Sequence, residues 1–253
     1  MAIADSDYSE AFNTAGKHLQ ACMNESDATF RWIKMRPSKP AFADLVFVCG
    51  QRMYAVLLAP MASQKKAEGG SGVSVRFEIP HEEHELLMQE CERYHLEPVV
   101  FPLWIGIMQP LLSRGWNLFS LRDMQPIDPS AQPDMPPVLM SEWELCNFCV
   151  EQVLHELEEK RLRIFSYQDI PGVYPNLWFR DEEGRRAWVS VLPSFGREFA
   201  RIPRETLDLP RKLPKECVGY IARMAVTAFD RPGAHPMRGD SLAVNYQGLE
   251  RLP

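Results

Sequence analysis

Two stretches of this 253-residue chain share one pattern, and together they limit what the chain can fold into. The stretches are "ADLVFVCGQRMYAVLLAP" at residues 43–60 and "PNLWFRDEEGRRAWVSVLPS" at residues 175–194. Each has two apolar runs rich in β-branched and aromatic residues, separated by a short turn that contains glycine. This pattern predicts a β-hairpin in each half of the chain.

The similarity extends beyond the hairpins. Residues 9–47 align without a gap with residues 141–179, and after a turn about two residues longer, residues 52–58 align with residues 186–192. The octapeptide "RGWNLFSL" (114–121) also matches "RGDSLAVN" (238–245). Long self-similarity of this kind predicts a tandem duplication of one unit.

Within each half, apolar periodicity predicts a helix, three strands, a second helix and further strands. We therefore expect an α/β (α+β) protein of two tandem, pseudo-symmetric units, each with a mixed sheet of about five strands flanked by helices. The proline-rich stretch between the halves predicts an extended connector. The expected boundaries are 1–126 for the first unit, 127–139 for the linker and 140–253 for the second unit.

This order of elements resembles the core of the restriction-endonuclease-like, or PD-(D/E)XK, superfamily. In that family a carboxylate opens the second strand, an acid and a lysine lie on the third strand, and together they hold a divalent metal that activates water. Asp44 stands at the first of these positions, but the third strand reads "YAVLLAP"; the second copy has Asn176 and "AWVSVL". The resemblance thus implies two catalytically degenerate copies without a metal site. The alternative is a metal-dependent nuclease or related hydrolase that uses the displaced carboxylates Asp44, Glu151 and Asp169.

Other motifs give no complete catalytic or metal site. Cys146 and Cys149, with His155 nearby, could supply three zinc ligands, but the pair lies on the apolar stripe of a predicted helix, which favours core packing. "HEEHE" at 81–85 lacks the spacing of a zinc-binding helix and is typical of a helix start. There is no P-loop, dinucleotide fingerprint or serine elbow, and we predict no cofactor.

Charge and cysteine content bear on partners and compartment. The net charge of −6, without a dense basic run, disfavours nucleic acid as a partner. The sequence has no apolar run long enough to span a bilayer, and the N-terminus lacks the pattern of a signal peptide. Six scattered cysteines suit reduced thiols. These features predict a cytoplasmic protein that does not associate with membranes.

Two features suggest a binding surface. The connection at residues 103–116 is unusually apolar and includes Trp104, Ile107 and Met108, so it must pack against the other half of the chain or against a partner. Tyr174 lies on a Pro-Gly turn that could present its ring at a sheet edge.

We therefore predict a non-enzymatic binding protein that contacts a protein partner or forms a homo-oligomer. The nuclease remains the first alternative. An immunity or inhibitor protein that captures a basic target is a further one.

Overall fold

The computed structural model describes residues 5–34, 43–61, 79–104, 107–133 and 135–252. Over these residues the chain forms four α-helices and two mixed β-sheets, and it divides into two compact units at Met135 and Pro136. Each unit has its own hydrophobic core. The predicted α/β class with two similar units is confirmed.

Unit 1 contains two helices and a seven-stranded sheet among its described residues. The elements are α1 (Asp5–Glu25), β1 (Phe30–Lys34), β2 (Leu45–Cys49), β3 (Arg52–Met61), α2 (His81–Tyr94), β4 (Glu97–Trp104), β5 (Gln109–Pro110), β6 (Leu118–Ser120) and β7 (Pro126–Ile127). The strand order is β1-β2-β3-β4-β6-β7, and β5 also pairs with β4. The neighbours β3 and β4 run parallel, with α2 in the connection between them, and the other pairs are antiparallel.

Unit 2 repeats this arrangement with a six-stranded sheet. Its elements are α3 (Glu142–Glu159), β8 (Ile164–Tyr167), β9 (Leu177–Arg180), β10 (Arg186–Phe195), α4 (Arg204–Lys212), β11 (Val218–Ala228), β12 (Leu242–Tyr246) and β13 (Glu250–Arg251). The order is β12-β11-β10-β9-β8, and β13 also pairs with β11. The parallel pair is β10 and β11, again with a helix between them.

The parallel pair lies in the middle of each sheet, and its strands are mostly apolar. Nearly every residue of β3 and β4 is buried, as expected for parallel strands that are covered on both faces. One face of β3 packs against α1 through Ala11, Ala15 and Leu19, and the same face of β10 packs against α3 through Cys149, Val153 and Leu157. These helix residues recur every three or four positions, which places them on one side of each helix.

The pairing register is the same in the two sheets. A bulge interrupts β1–β2 between Trp32 and Lys34, and the matching bulge interrupts β8–β9 between Ile164 and Ser166. The last strand is also divided in both units. In unit 1, β5 pairs with the end of β4 and β6 with its beginning; in unit 2, β12 pairs with the later part of β11 and β13 with its beginning.

This register corrects the alignment expected from sequence. Four residues separate the paired residues Val48 and Met53, whereas five separate the paired residues Arg180 and Arg186, so the second connection is longer by one residue. Tyr54 therefore corresponds to Ala187 and not to Trp188. A slip of one residue moves a side chain to the other face of a sheet. Accordingly, Tyr54 and Ala187 belong to the core clusters that contain the residues of α1 and α3, whereas Trp188 is buried but lies outside the cluster of α3.

Two further parts of the expected alignment are wrong. A gapless match would align Ala15 of α1 with Asn147 of α3. Asn147 does not belong to the core cluster of unit 2, whereas Cys149, two positions later, does. The match of "RGWNLFSL" with "RGDSLAVN" aligns β6 with β12, whereas the pairing makes β13 the counterpart of β6. Local sequence similarity does not follow the register here because the connections differ in length between the units.

The predicted linker at 127–139 is partly built into the units. Pro126 and Ile127 form β7, and the Asp128 side chain accepts hydrogen bonds from the N–H groups of Ser130 and Ala131 at the start of a 3-10 helix. At the other end, Leu139 forms a β-bridge with Met237. Prolines do not prevent these contacts because they fall at edge and first-turn positions.

A buried ion pair fixes the start of α3. The guanidinium of Arg238 donates to both carboxylate oxygens of Glu144 at 3.0–3.1 Å, and both side chains are 2% exposed. Glu144 also accepts from the N–H of Ser141 in a capping box. Arg238 thereby ties the turn before β12 to the N-terminus of α3.

Gly219 is required by Trp188, its neighbour across the parallel pair. A Cβ at position 219 would lie 2.4 Å from the indole ring of Trp188, which is 1% exposed. We expect Gly219→Ala to lower the free energy of unfolding by about 1–3 kcal/mol because the ring must move within a packed core. Chemical denaturation monitored by circular dichroism measures this change.

Gly16→Ala in α1 is the matched control, because a Cβ there meets nothing within 4 Å. Alanine is the better helix former, so this variant should be more stable by about 0.5–1 kcal/mol. Equal effects of the two substitutions would contradict the packing described for Trp188.

Candidate functional site

Asp44 lies just before β2 and is held by two hydrogen bonds. Its Oδ1 accepts from the hydroxyl of Tyr8 at 2.6 Å, and its Oδ2 accepts from the backbone N–H of Leu58 at 2.7 Å. The pairing of β2 with β3 ends at Leu45 and Val56, so the N–H of Leu58 lies beyond the last strand partner on that side. The carboxylate supplies the acceptor that the strand no longer provides.

Asn176 is the corresponding hydrogen-bond acceptor in unit 2. Its Oδ1 accepts from the N–H of Val191 at 2.8 Å, and Val191 corresponds to Leu58 in the shared register. Its Nδ2 donates to the carbonyl of Gln168, and the side chain is 1% exposed. An amide oxygen can replace a carboxylate as an acceptor for an N–H group, but it removes the charge that a divalent cation requires.

The third strands carry no acid or lysine at the positions that the nuclease resemblance implies. From Tyr54 to Ala59, β3 is apolar and buried, and β10 has the neutral residues 187–193 at the corresponding positions. The nearby Lys34 lies on β1, where its buried ammonium group donates to the carbonyl of Ala43. These residues do not fit the acid, acid and lysine arrangement that the nuclease resemblance implies.

The other two carboxylates of the alternative site lie in unit 2. Asp169 is 2% exposed and accepts a hydrogen bond from Nδ2 of Asn147 at 2.9 Å. Glu151 lies one turn after Asn147 on α3 and is half-buried. Over the described parts of the chain, no group of three or more His, Cys, Asp or Glu residues is placed to hold a metal ion.

Cys146 and Cys149 are core residues, as the helical periodicity predicts. They are 3% and 0% exposed, and both belong to the core of unit 2. Burial raises the pKa of both thiols, and for Cys146 the nearby Asp169 adds to the increase. Both groups are therefore protonated at neutral pH and are poor nucleophiles and poor metal ligands.

The predicted binding residues are not all at the surface. Met108 is 9% exposed and lies in the core of unit 1, and Trp104, at the end of β4, is half-buried. Ile107 is 62% exposed. The apolar character of this connection thus partly reflects packing within its own unit, where Trp116 also enters the core.

Tyr174 borders a cavity of about 300 Å³ within unit 2. Cys146, Ser194 and Phe195 are among the other lining residues. Burial raises the pKa of the Tyr174 phenol, and the neighbouring Cys146 and Glu205 act in the same direction. At neutral pH this hydroxyl is a hydrogen-bond donor or acceptor and not a base.

Sequence reasoning missed a cluster on the β8, β9 and β10 strands of unit 2. We call it the arginine–aromatic face, and it consists of Arg163, Phe165, Trp178, Arg180 and Arg186. The guanidinium carbons of Arg163 and Arg180 lie 5.6 and 5.8 Å from the centroid of the Phe165 ring, and that of Arg186 lies 4.9 Å from the Trp178 ring. Alternation in "RIF" and "LWFR" is a weak signal of this face, because only strand pairing brings the two segments together.

In the described part of the chain no helix is long and apolar enough to cross a lipid bilayer.

The acceptor role of Asp44 generates a prediction. Asp44→Asn should change the free energy of unfolding by less than about 1 kcal/mol because its amide oxygen can still accept from Leu58, as Asn176 does in unit 2. Asp44→Ala should cost about 1–3 kcal/mol because it leaves the N–H without its acceptor. Urea denaturation of the two variants tests this difference, and equal stability of both would contradict it.

Burial of the thiols generates a second prediction. Four cysteines are buried (Cys49, Cys91, Cys146 and Cys149), whereas Cys22 and Cys217 are half-buried. We expect a thiol reagent to label at most the latter two rapidly in the folded protein, and all six after unfolding in guanidinium. Mass spectrometry of the labelled peptides identifies the sites, and rapid labelling of Cys146 in the folded protein would contradict the core assignment.

Comparison of the chain with profiles of known families, with curated protein sequences and with solved structures found no match to any of them.

Proposed function

We propose that this protein is a non-enzymatic binding protein, built by duplication of a nuclease-like unit whose catalytic positions serve only the fold. The observation that carries the proposal is the matched role of Asp44 and Asn176. Each accepts a hydrogen bond from the same backbone position of the third strand. What the two units have in common at this place is a hydrogen-bond acceptor and not a charge.

The shared register supports the duplication. The bulge, the parallel pair and the divided last strand occur at corresponding positions in both sheets. Many sequences could form either sheet, so agreement at this level of detail favours a common ancestral unit over independent origin. The cores have meanwhile changed in residue identity, as Tyr54 opposite Ala187 illustrates.

The surface supports binding of another macromolecule. Ile107 and Phe229 are each more than 60% exposed, and the arginine–aromatic face adds exposed rings and cations in unit 2. Large apolar side chains and arginines are enriched at protein interfaces. We propose a protein partner, either a different chain or a second copy of this one, and a reducing compartment such as the cytosol, where six free thiols persist.

The metal-dependent nuclease is the alternative that an experiment must separate from this proposal. Titration calorimetry with Mg²⁺ and Mn²⁺ should detect no binding tighter than about 1 mM, because the described carboxylates do not converge. Plasmid and single-stranded DNA should remain intact in the presence of either ion.

Asp169→Asn is the test variant, with the exposed Asp230→Asn as its control. Tight Mn²⁺ binding and DNA cleavage that both disappear in Asp169→Asn, but persist in Asp230→Asn, would overturn the proposal in favour of the enzyme. Absence of both from all three proteins would support it.

A further inference from the structure

The arginine–aromatic face contains an exposed phenylalanine ring that two arginines contact. Phe165 is 40% exposed, and the guanidinium groups of Arg163 and Arg180 both lie over it. The rings contact the guanidinium groups through cation–π interactions. Nη1 of Arg180 also donates to the carbonyl of Gly184 at 2.7 Å, and the guanidinium group has further N–H donors for another acceptor. Arg186, over Trp178, extends the same surface onto β10.

These cations lack the anionic partners that several other arginines in unit 2 have. Arg223 is paired with Glu250, Arg231 with Asp240 and Arg238 with Glu144. By contrast, no carboxylate of the described residues lies within 4.0 Å of Arg163, Arg180 or Arg186. Collecting like charges around one ring is unfavourable, and an anion at this surface would relieve that repulsion.

Unit 1 shows that the fold does not require this charge. Because the two sheets share one register, Trp178 and Arg180 correspond to Val46 and Val48, and Arg186 corresponds to Met53. All three residues of unit 1 are apolar and at most 4% exposed. The cationic and aromatic side chains are therefore a property of unit 2 alone, and a structural role common to the fold cannot account for them.

The face adjoins an edge of the sheet. β8 is the terminal strand in the described sheet of unit 2, and Phe165 lies on it. The edge of a sheet can pair with an extended peptide through main-chain hydrogen bonds. Alternate side chains of such a peptide point to one face, so acidic residues at every second position would meet the guanidinium groups.

We propose that the arginine–aromatic face and the β8 edge bind an extended, acidic segment of a partner protein. This inference rests on the proposed binding function and names the chemistry of the partner. The charges and the strand edge together fit a peptide better than a nucleic acid, because only a peptide has the main-chain N–H and C=O groups that can pair with a strand edge.

Fluorescence anisotropy with labelled probes tests the proposal. The first probe is an eight-residue peptide that alternates glutamate and valine; the second has glutamine in place of glutamate, and the third has proline in place of valine. We expect the first probe to bind, with affinity that falls as salt is added, and the other two to bind at least about tenfold more weakly. Equal binding of all three peptides would overturn the proposal.

The double variant Arg163→Gln/Arg180→Gln should weaken binding of the first probe by about tenfold or more. Arg204→Gln/Arg211→Gln on α4 removes the same charge from exposed positions elsewhere in unit 2 and should weaken binding by less than about twofold. Circular dichroism spectra that match the unaltered protein show that both variants are folded. Equal losses in the two variants would mean that net charge alone governs binding, against the proposal.

An oligothymidylate probe tests whether the arginine–aromatic face binds nucleic acid instead of an acidic peptide. If it binds more tightly than the acidic peptide and Arg163→Gln/Arg180→Gln abolishes that binding, the face is a nucleic-acid site and the proposal is wrong. Failure of all probes to bind overturns this inference but leaves the proposed function standing. The proposed function fails only if the metal titration and the DNA cleavage assay reveal an enzyme.

Discussion

In each unit, a backbone N–H group of the third strand donates a hydrogen bond to a side-chain oxygen at the start of the second strand. The third strand of each unit continues beyond the end of the second strand. The next N–H group that it directs toward the second strand would therefore have no acceptor in the protein interior. Asp44 and Asn176 provide that acceptor in the two units. An unsatisfied N–H there would cost about 1–3 kcal/mol. This requirement explains a polar residue before an apolar strand without any reference to catalysis.

The parallel pair, the bulge and the divided last strand are alike in both units, whereas other contacts differ. Unit 2 has the Trp188–Gly219 contact and the buried Glu144–Arg238 ion pair. Removing one member of such an ion pair leaves an unpaired buried charge, so the two residues must be kept together. The shared sheet topology therefore accommodates different side-chain contacts in the two units. Their surface residues also differ. The arginine–aromatic face belongs to unit 2, where unit 1 has buried aliphatic residues.

How far the sequence predicts the candidate site depends on how many positions separate the contacting residues in the sequence. The burial of Cys146 and Cys149 follows from helical periodicity, which is local. The roles of Asp44 and Met108 do not. Asp44 bonds to residues 36 and 14 positions away, and Met108 enters a core formed by segments far apart in the chain. Composition predicted that the connection at 103–116 packs against the other half of the chain or a partner, whereas Met108 and Trp116 pack in the core of unit 1.

The sequence by itself determined the class of fold, the two hairpins and the presence of two similar units, because apolar periodicity and turn residues act over a few positions. The tertiary structure decided the register that relates the units, since turns and connections of different length shift the alignment by one or two residues and each shift in a strand changes the face. It also decided which polar residues satisfy the backbone and which remain available to a partner. Arg163 and Arg180 meet over Phe165 only because β8 and β9 pair, and no local pattern contains that contact.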